Sequence, residues 1–447
     1  MTVYGTIAEY NPFHSGHKYL LDRMHINSED SVVVVMSGNF VQRAEPACML
    51  TSSRCEAALR NGADLIIQLP LPWSVSGAQN FARGSVSLLK ATNIVDTLCF
   101  GSENGNISAL LNIAQCLRDE ETVKLMKNYL STGISFANAR QRAVKDNYPG
   151  LAPILDNPND NLGIEYLNAM LELDATMSPM CIKRYGAGHD SNDIGATASG
   201  KMLRKLMQAG EDVSPYMPKT AYEVYARDRE LRHISGGMAA IENTVLYKLR
   251  TTTAKEIAVC PDVSEGIENC IVNAARDART IDELYSIAKS KRYSHARIRR
   301  IVMSAFLGIV AEDCTGLPPY IKVLGFNERG RELMRDLREK ADLPIITKYS
   351  DSKKLDERGK RIYDLECKAA DIYALSFWPA LPCGTEQRQR PVKLRSDSPV
   401  EMPADETEHP TPKENEDIDD EDSIFEEKER KPEKRERRLF GRNRNND

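Results

Sequence analysis

The chain of 447 residues has ten cysteines but no Cys-x-x-Cys pair, which removes the zinc-ribbon class. It has no charged N-terminal segment followed by an apolar core. A secreted, disulfide-framed protein is therefore not expected, and free thiols in a reducing cytoplasm are. No apolar run approaches the roughly 18–20 residues of a membrane span, so no membrane partner is expected. An excess of positive charge is missing too. Lys+Arg 60 against Asp+Glu 65 gives −5, so any contact with nucleic acid must come from a local patch. What remains is 41% apolar and 28% charged, the composition of a soluble globular enzyme, over a length that suggests two or three domains.

The average conceals a break. Up to about Leu381 apolar runs alternate with helical patterns, and from Gly384 apolar residues nearly vanish. Residues 401–427 are dominated by Asp and Glu, and 428–447 by Lys and Arg, with Leu439-Phe440 the only apolar pair there. Such a segment buries too little surface to offset its ordering entropy, so 384–447 is expected to be a disordered acidic-then-basic tail. It either aids solubility or carries a basic end for RNA or a partner.

The first hundred residues alternate strand and helix. Thr2–Ala8 reads as a strand, and a helix follows from near Gly16. The run Val32-Val33-Val34-Val35 in Ser31–Met36 is that of a central parallel strand buried on both faces. Asp64–Leu69 and Val95–Phe100 continue the series, and Cys181–Arg184 looks like a last short strand. This spacing predicts βαβ units and a Rossmann-like α/β domain with a parallel sheet. From about Thr197 to Leu307 the pattern is almost continuously helical, over 218–231, 238–250, 264–277, 281–290 and 294–307. Two further short strands, Tyr320–Val323 and Ile345–Thr347, flank a helix at 328–339. Ligands of such sheets bind beyond the strands' carboxyl ends, where Glu9–His17, Ser37–Glu45 and Gly101–Glu103 fall.

The segment Asn11-Pro12-Phe13-His14-Ser15-Gly16-His17 joins a strand to a helix. Helix N-terminal amides favour an anion there, Gly16 admits close approach, and His14 and His17 can donate to phosphate oxygens. That suits in-line attack on a phosphate, stabilised by fixed donors. Two capping histidines are the plainer alternative. A zinc His-x-x-His pair would need accompanying ligands that are absent, so no protein-bound metal is expected.

Together with further blocks, this segment makes the chain similar to a known family. The blocks are Ile7–His14 with Gly16-His17, Met36–Arg43 with Glu45-Pro46, and Phe100-Gly101-Ser102-Glu103. Pro158-Asn159 to Leu162-Gly163, Ile182-Lys183-Arg184 with Gly186-Ala187-Gly188, and Lys291-Arg292-Tyr293 with Ala296-Arg297-Ile298 follow. Pro318-Pro319-Tyr320 with Leu324-Gly325-Phe326 completes the set. The chain resembles the His-x-Gly-His nucleotidyltransferases and, among them, the tRNA(Met) cytidine acetate ligase family, from Ile7 to about Leu375. The resemblance implies that acetate is activated by ATP with Mg²⁺ to acetyl-adenylate. The acetyl group then passes to the wobble cytidine of elongator tRNA(Met), giving N4-acetylcytidine. It also implies an ATP loop from Ile7 through Ala8, Glu9, Tyr10, Asn11, Pro12, Phe13, His14, Ser15, Gly16, His17, Lys18 and Tyr19 to Leu20. Further ATP contacts fall on Gly101, Asn159 and Arg184.

The residues themselves fit those roles. Gly101 ends a strand where a base or ribose can lie close, and Arg184 ends another and could clamp a phosphate. Asn159 precedes a helix, where a capping role is the alternative. Asn39, Gln42 and Arg43 sit in a polar loop after the four-valine strand and could accept acetate. Gly195 to Gly200-Lys201-Met202 nearly spells a phosphate loop, but Met202 replaces the required hydroxyl. The superfamily pattern Ser-x-Thr-x-x-Arg falls instead on Ser199, Lys201 and Arg204, with Lys201 for the threonine. Lys201 joins His14 and His17 as a candidate catalytic residue, and Ser199 and Arg204 are candidate ATP contacts. A local basic patch at Lys291, Arg292, Arg297 and Arg300, with Tyr293 to stack a base, is the candidate tRNA contact. The expected division is 1–210 for the ATP-binding domain and 211–383 for a mainly helical domain. Alternatives are an adenylyltransferase acting on a small metabolite phosphate, or a decayed RNA-binding relative.

Overall fold

The computed structural model describes residues 1–184, 199–264, 266–290 and 293–395. Outside the described residues fall Gly186-Ala187-Gly188, the Gly195 end of the near-phosphate loop, Lys291, Arg292 and the tail from 396.

Among the described residues ten strands form, in chain order: β1 (Val3–Ala8), β2 (Ser31–Ser37), β3 (Phe40–Val41), β4 (Glu45–Pro46), β5 (Leu65–Leu69), β6 (Thr97–Ser102), β7 (Ser178–Lys183), β8 (Ile321–Phe326), β9 (Ile345–Ile346) and β10 (Val392–Lys393). β3 and β4 make a small antiparallel hairpin, and the other eight share one sheet in the order β10-β8-β5-β2-β1-β6-β7, with β9 on β8. All its pairings are parallel except β5 with β8. The sheet therefore carries an antiparallel addition from the far end of the chain, which local periodicity cannot reveal.

Every residue of β2 is buried. Its side chains alternate between two cores, as a period of two requires. Val33 and Val35 pack with Phe81, Leu88 and Leu89 on one face. Val32, Val34 and Met36 pack with Leu21, Met24 and Ala58 on the other. A third core is built by the helices Gly237–Thr251, Ile267–Asp277, Ile281–Ala288 and His295–Leu307, close to their expected positions. The helix Glu357–Ala374 gives Ile362 and Tyr363 to the sheet core and Leu365, Ala369 and Tyr373 to the helical one.

Composition places the tail's start at 384, but residues 384–395 are structured. Thr385–Arg388 is a short helix, and β10 pairs with β8. The reason is a pair of buried anchors, Val392 at 1% exposure and Glu386 at 4%. Glu386 forms an ion pair with the buried Lys322 of β8, whose ammonium also lies 3.4 Å from Glu366.

Candidate active site

Strand order reverses at β1, whose neighbours are β2 and β6. The crevice that such a reversal opens lies beyond the carboxyl ends of the strands. A cavity of about 940 Å³ occupies it, walled by Ile7 and Ala8 of β1, Phe100 and Gly101 of β6, and Ile182 of β7.

β1 leads through Glu9 into Tyr10, which is buried and held at φ 46°. His14 then caps the helix Ser15–Asp22. Its Nδ1 accepts the Gly16 N–H at 3.1 Å, and the Nδ1 of His17 accepts the N–H of His14 at 3.2 Å. With both Nδ1 atoms accepting, each ring is the tautomer with its proton on Nε2. The rings stack at 3.8 Å between centroids. Burial, then the charge of Arg184, lowers His14 to about 4. Burial, then His14, then Arg184, holds His17 well below its ordinary value. The pair is thus neutral at physiological pH and offers two Nε2–H donors. Gly16 matters because a Cβ there would sit 3.0 Å from the His14 ring.

Of the expected ATP loop, Ile7, Ala8, Glu9, Tyr10, His14, Ser15, Gly16, His17, Tyr19 and Leu20 line the cavity. Asn11, Pro12, Phe13 and Lys18 do not. Asn11 turns inward and accepts the Cys48 N–H at 2.8 Å, Phe13 is buried, and Lys18 pairs with Asp22. Gly101, Asn159 and Arg184 come together on the wall: Arg184 Nη1 donates to Asn159 Oδ1 at 3.3 Å, and a Cβ on Gly101 would meet the Arg184 side chain at 3.4 Å.

Gln42 and Arg43, in the hairpin turn, line the cavity, and Arg43 is exposed without a partner among the described residues. Asn39 does not line it, because its Oδ1 accepts from Thr51 at 2.7 Å. Ser199 lines it and caps the helix Gly200–Ala209. Lys201 stands exposed on the first turn of that helix, off the cavity wall. Arg204 is engaged by the protein itself, donating to the Asn11 carbonyl at 2.8 Å and to Glu45 at 3.0 Å.

Of the basic stretch, Tyr293, Arg297 and Arg300 lie among the described residues. Tyr293 is 6% exposed and belongs to the helical core, so it presents no face for a base. Arg297 donates to the Asp262 carbonyl and Ser264 Oγ, at 2.8 and 2.6 Å, and Arg300 pairs with Asp262 at 2.6 Å. The two arginines pin a loop.

The sequence placed Glu103 at a ligand-facing strand end, but gave no role to the apolar wall of Phe81, Phe100, Leu162, Tyr166 and Ile182. The signal was present: Asn159, Leu162, Gly163 and Tyr166 follow the i, i+3, i+4, i+7 spacing of one helix face. Glu103 accepts the N–H groups of Asn159 and Asp160 at 3.2 and 2.8 Å, fixing that helix start. Arg54 was missed as well. Fully buried, it donates to the carbonyls of Glu9, Ser37, Gly38 and Met49 and to Thr51 Oγ1. It ties the ends of β1 and β2 to the hairpin. No group of three or more His, Cys, Asp or Glu among the described residues is placed to hold a metal ion. The described residues therefore supply no cage of their own for Mg²⁺, which takes near-octahedral oxygen ligands.

The family model described as HIGH Nucleotidyl Transferase matches residues 1–387. The tRNA(Met) cytidine acetate ligase of Thermoanaerobacter sp. is 38% identical over 388 residues, spanning 84% of this chain and 96% of that protein. Its counterpart in Acetivibrio thermocellus is 36% identical over 401 residues, spanning 84% and 95%. The crystal structure of Thermotoga maritima TmcAL bound with alpha-thio ATP superposes with a TM-score of 0.83 at 30% identity, covering 89% of this chain and all of that one.

Proposed function

The chain belongs to the HIGH nucleotidyl transferases and, among them, to the tRNA(Met) cytidine acetate ligases, and from that premise we propose how its own cavity performs the reaction. It is an ATP-dependent ligase that acetylates tRNA cytidine. ATP lies in the 940 Å³ cavity, its phosphates on the Nε2–H groups of His14 and His17 and on Arg184, its base and ribose against Gly101 and the apolar wall. The carrying observation is the neutral, stacked histidine pair at a helix N-terminus beyond the reversal strand. Fixed neutral donors stabilise charge that develops on the α-phosphate without themselves titrating.

Acetate, drawn by Arg43 and the Gln42 amide, attacks the α-phosphorus in line, and pyrophosphate leaves. Acetyl-adenylate remains, and the N4 amine of the wobble cytidine attacks its carbonyl with AMP departing. Magnesium bound to the ATP phosphates would neutralise part of their charge. Elongator tRNA(Met) approaches the open side, where Arg43 and Lys201 are exposed. Incubation with ATP, labelled acetate and bulk tRNA should yield labelled N4-acetylcytidine on nucleoside analysis. Acetate-dependent ATP–pyrophosphate exchange without tRNA should report the first step alone. Absence of both products would overturn the reading.

A further inference from the structure

A carboxylate stands on the wall of the cavity in which ATP is placed, and like charges there disfavour one another unless the carboxylate faces another group. It belongs to Glu9, the residue after β1. One oxygen, Oε1, accepts the Gln42 N–H at 2.8 Å, and the main-chain carbonyl is held by Arg54 Nη1 at 2.7 Å. The other oxygen, Oε2, accepts from no described residue. The side chain is thereby fixed through one oxygen and presents the second.

The charged and titratable groups around it come from every neighbouring element. Arg54 lies on the helix after the hairpin, Arg204 on the helix after Ser199, Glu45 on β4 and Tyr166 on the helix Pro158–Glu172. Burial raises the Glu9 carboxyl above its ordinary value, while the Gln42 N–H, Arg204 and Arg54 pull it back and Glu45 adds to the rise. Glu9 precedes the two histidines in the chain, shares the cavity wall with them, and bonds the hairpin turn that carries Gln42 and Arg43.

An exocyclic amine with two N–H donors gains from meeting a carboxylate, and the cytidine N4 is the amine that must lose a proton in the reaction. We propose that Glu9 is the general base of the acetyl-transfer step, a role that rests on the acetate-ligase reading above. The cytidine N4 attacks the acetyl carbonyl carbon and the N–C bond forms. The C–O bond to the α-phosphate breaks, and AMP departs with its electron pair. The N4 proton passes to Glu9 Oε2.

The test uses the full-length chain and separates the two steps. Acetate-dependent ATP–pyrophosphate exchange measures activation. Single-turnover transfer from enzyme-bound acetyl-adenylate to tRNA(Met), followed from pH 5.5 to 8.5, measures the second step. Glu9→Gln preserves an oxygen acceptor for Gln42 but takes up no proton. Transfer should fall by about 10²–10⁴-fold, the usual worth of a general base, and by more than about tenfold beyond any fall in exchange. The rise of transfer with pH in the wild type should flatten in the variant. A transfer-to-exchange ratio within about tenfold of wild type, or an unchanged pH profile, overturns the proposal. Wild-type protein lacking both exchange and transfer overturns the acetate-ligase reading instead.

Discussion

At the scale of single residues, the site depends on groups whose state is set by burial rather than by type. His14 caps its helix and, in the proposed reaction, donates to the phosphate, so His14→Ala would remove two things at once. Loss of the cap should cost about 1 kcal/mol, and loss of the donor should slow ATP–pyrophosphate exchange by about 10²–10³-fold. The pH dependence has a definite sign. His14 titrates at about 4 in the fold against its ordinary 6.5, so the unfolded chain binds more protons between those values. Stability from this residue is complete above 6.5 and declines as pH falls towards 4. Wild type should therefore lose more of its thermal midpoint between pH 7 and 5 than His14→Ala does, which scanning calorimetry would show. Arg54 is the opposite case, a buried cation with five acceptors and no described carboxylate pair. Arg54→Met leaves four carbonyls without their donor, and the urea midpoint should drop by the equivalent of about 3 kcal/mol or more.

At the scale of elements, the sheet strands and most helices were legible because they bury continuous or periodic apolar faces. The four valines of β2 and the spacing of Ile241, Val245 and Leu249 are strong local signals. The position of the histidine loop was legible too, since it joins a clear strand to a clear helix and lines the cavity beyond them. The cavity wall was not, because Phe81, Phe100 and Tyr166 look like ordinary core until three elements meet. Nor was the engagement of Arg204, Arg297 and Arg300, whose partners lie far away in sequence. One contact between elements gives a sharp expectation. A Cβ on Gly163 would sit 2.4 Å from the Phe100 ring, which lines the cavity. Gly163→Ala should push that ring towards the nucleotide and raise the KM for ATP more than it lowers kcat, as steady-state kinetics would reveal.

At the scale of the whole molecule, the chain's late segments finish a sheet begun at its start. β8 closes onto β5, and β10 with Glu386 closes onto β8. Truncation after residue 395 should leave the urea midpoint near that of the full chain. Truncation after 383 removes Glu386 and β10, leaving Lys322 buried with one counter-charge fewer, and should lower stability by about 3 kcal/mol or more. The same closure sets a clock on synthesis. At roughly 5–20 residues per second, β5 leaves the ribosome on the order of tens of seconds before β8 arrives to cover its edge. Through that interval a buried-type strand waits with an unpaired edge, a known template for association between chains. A nascent chain of this protein therefore has a built-in window of chaperone dependence that closes only once β8 has emerged.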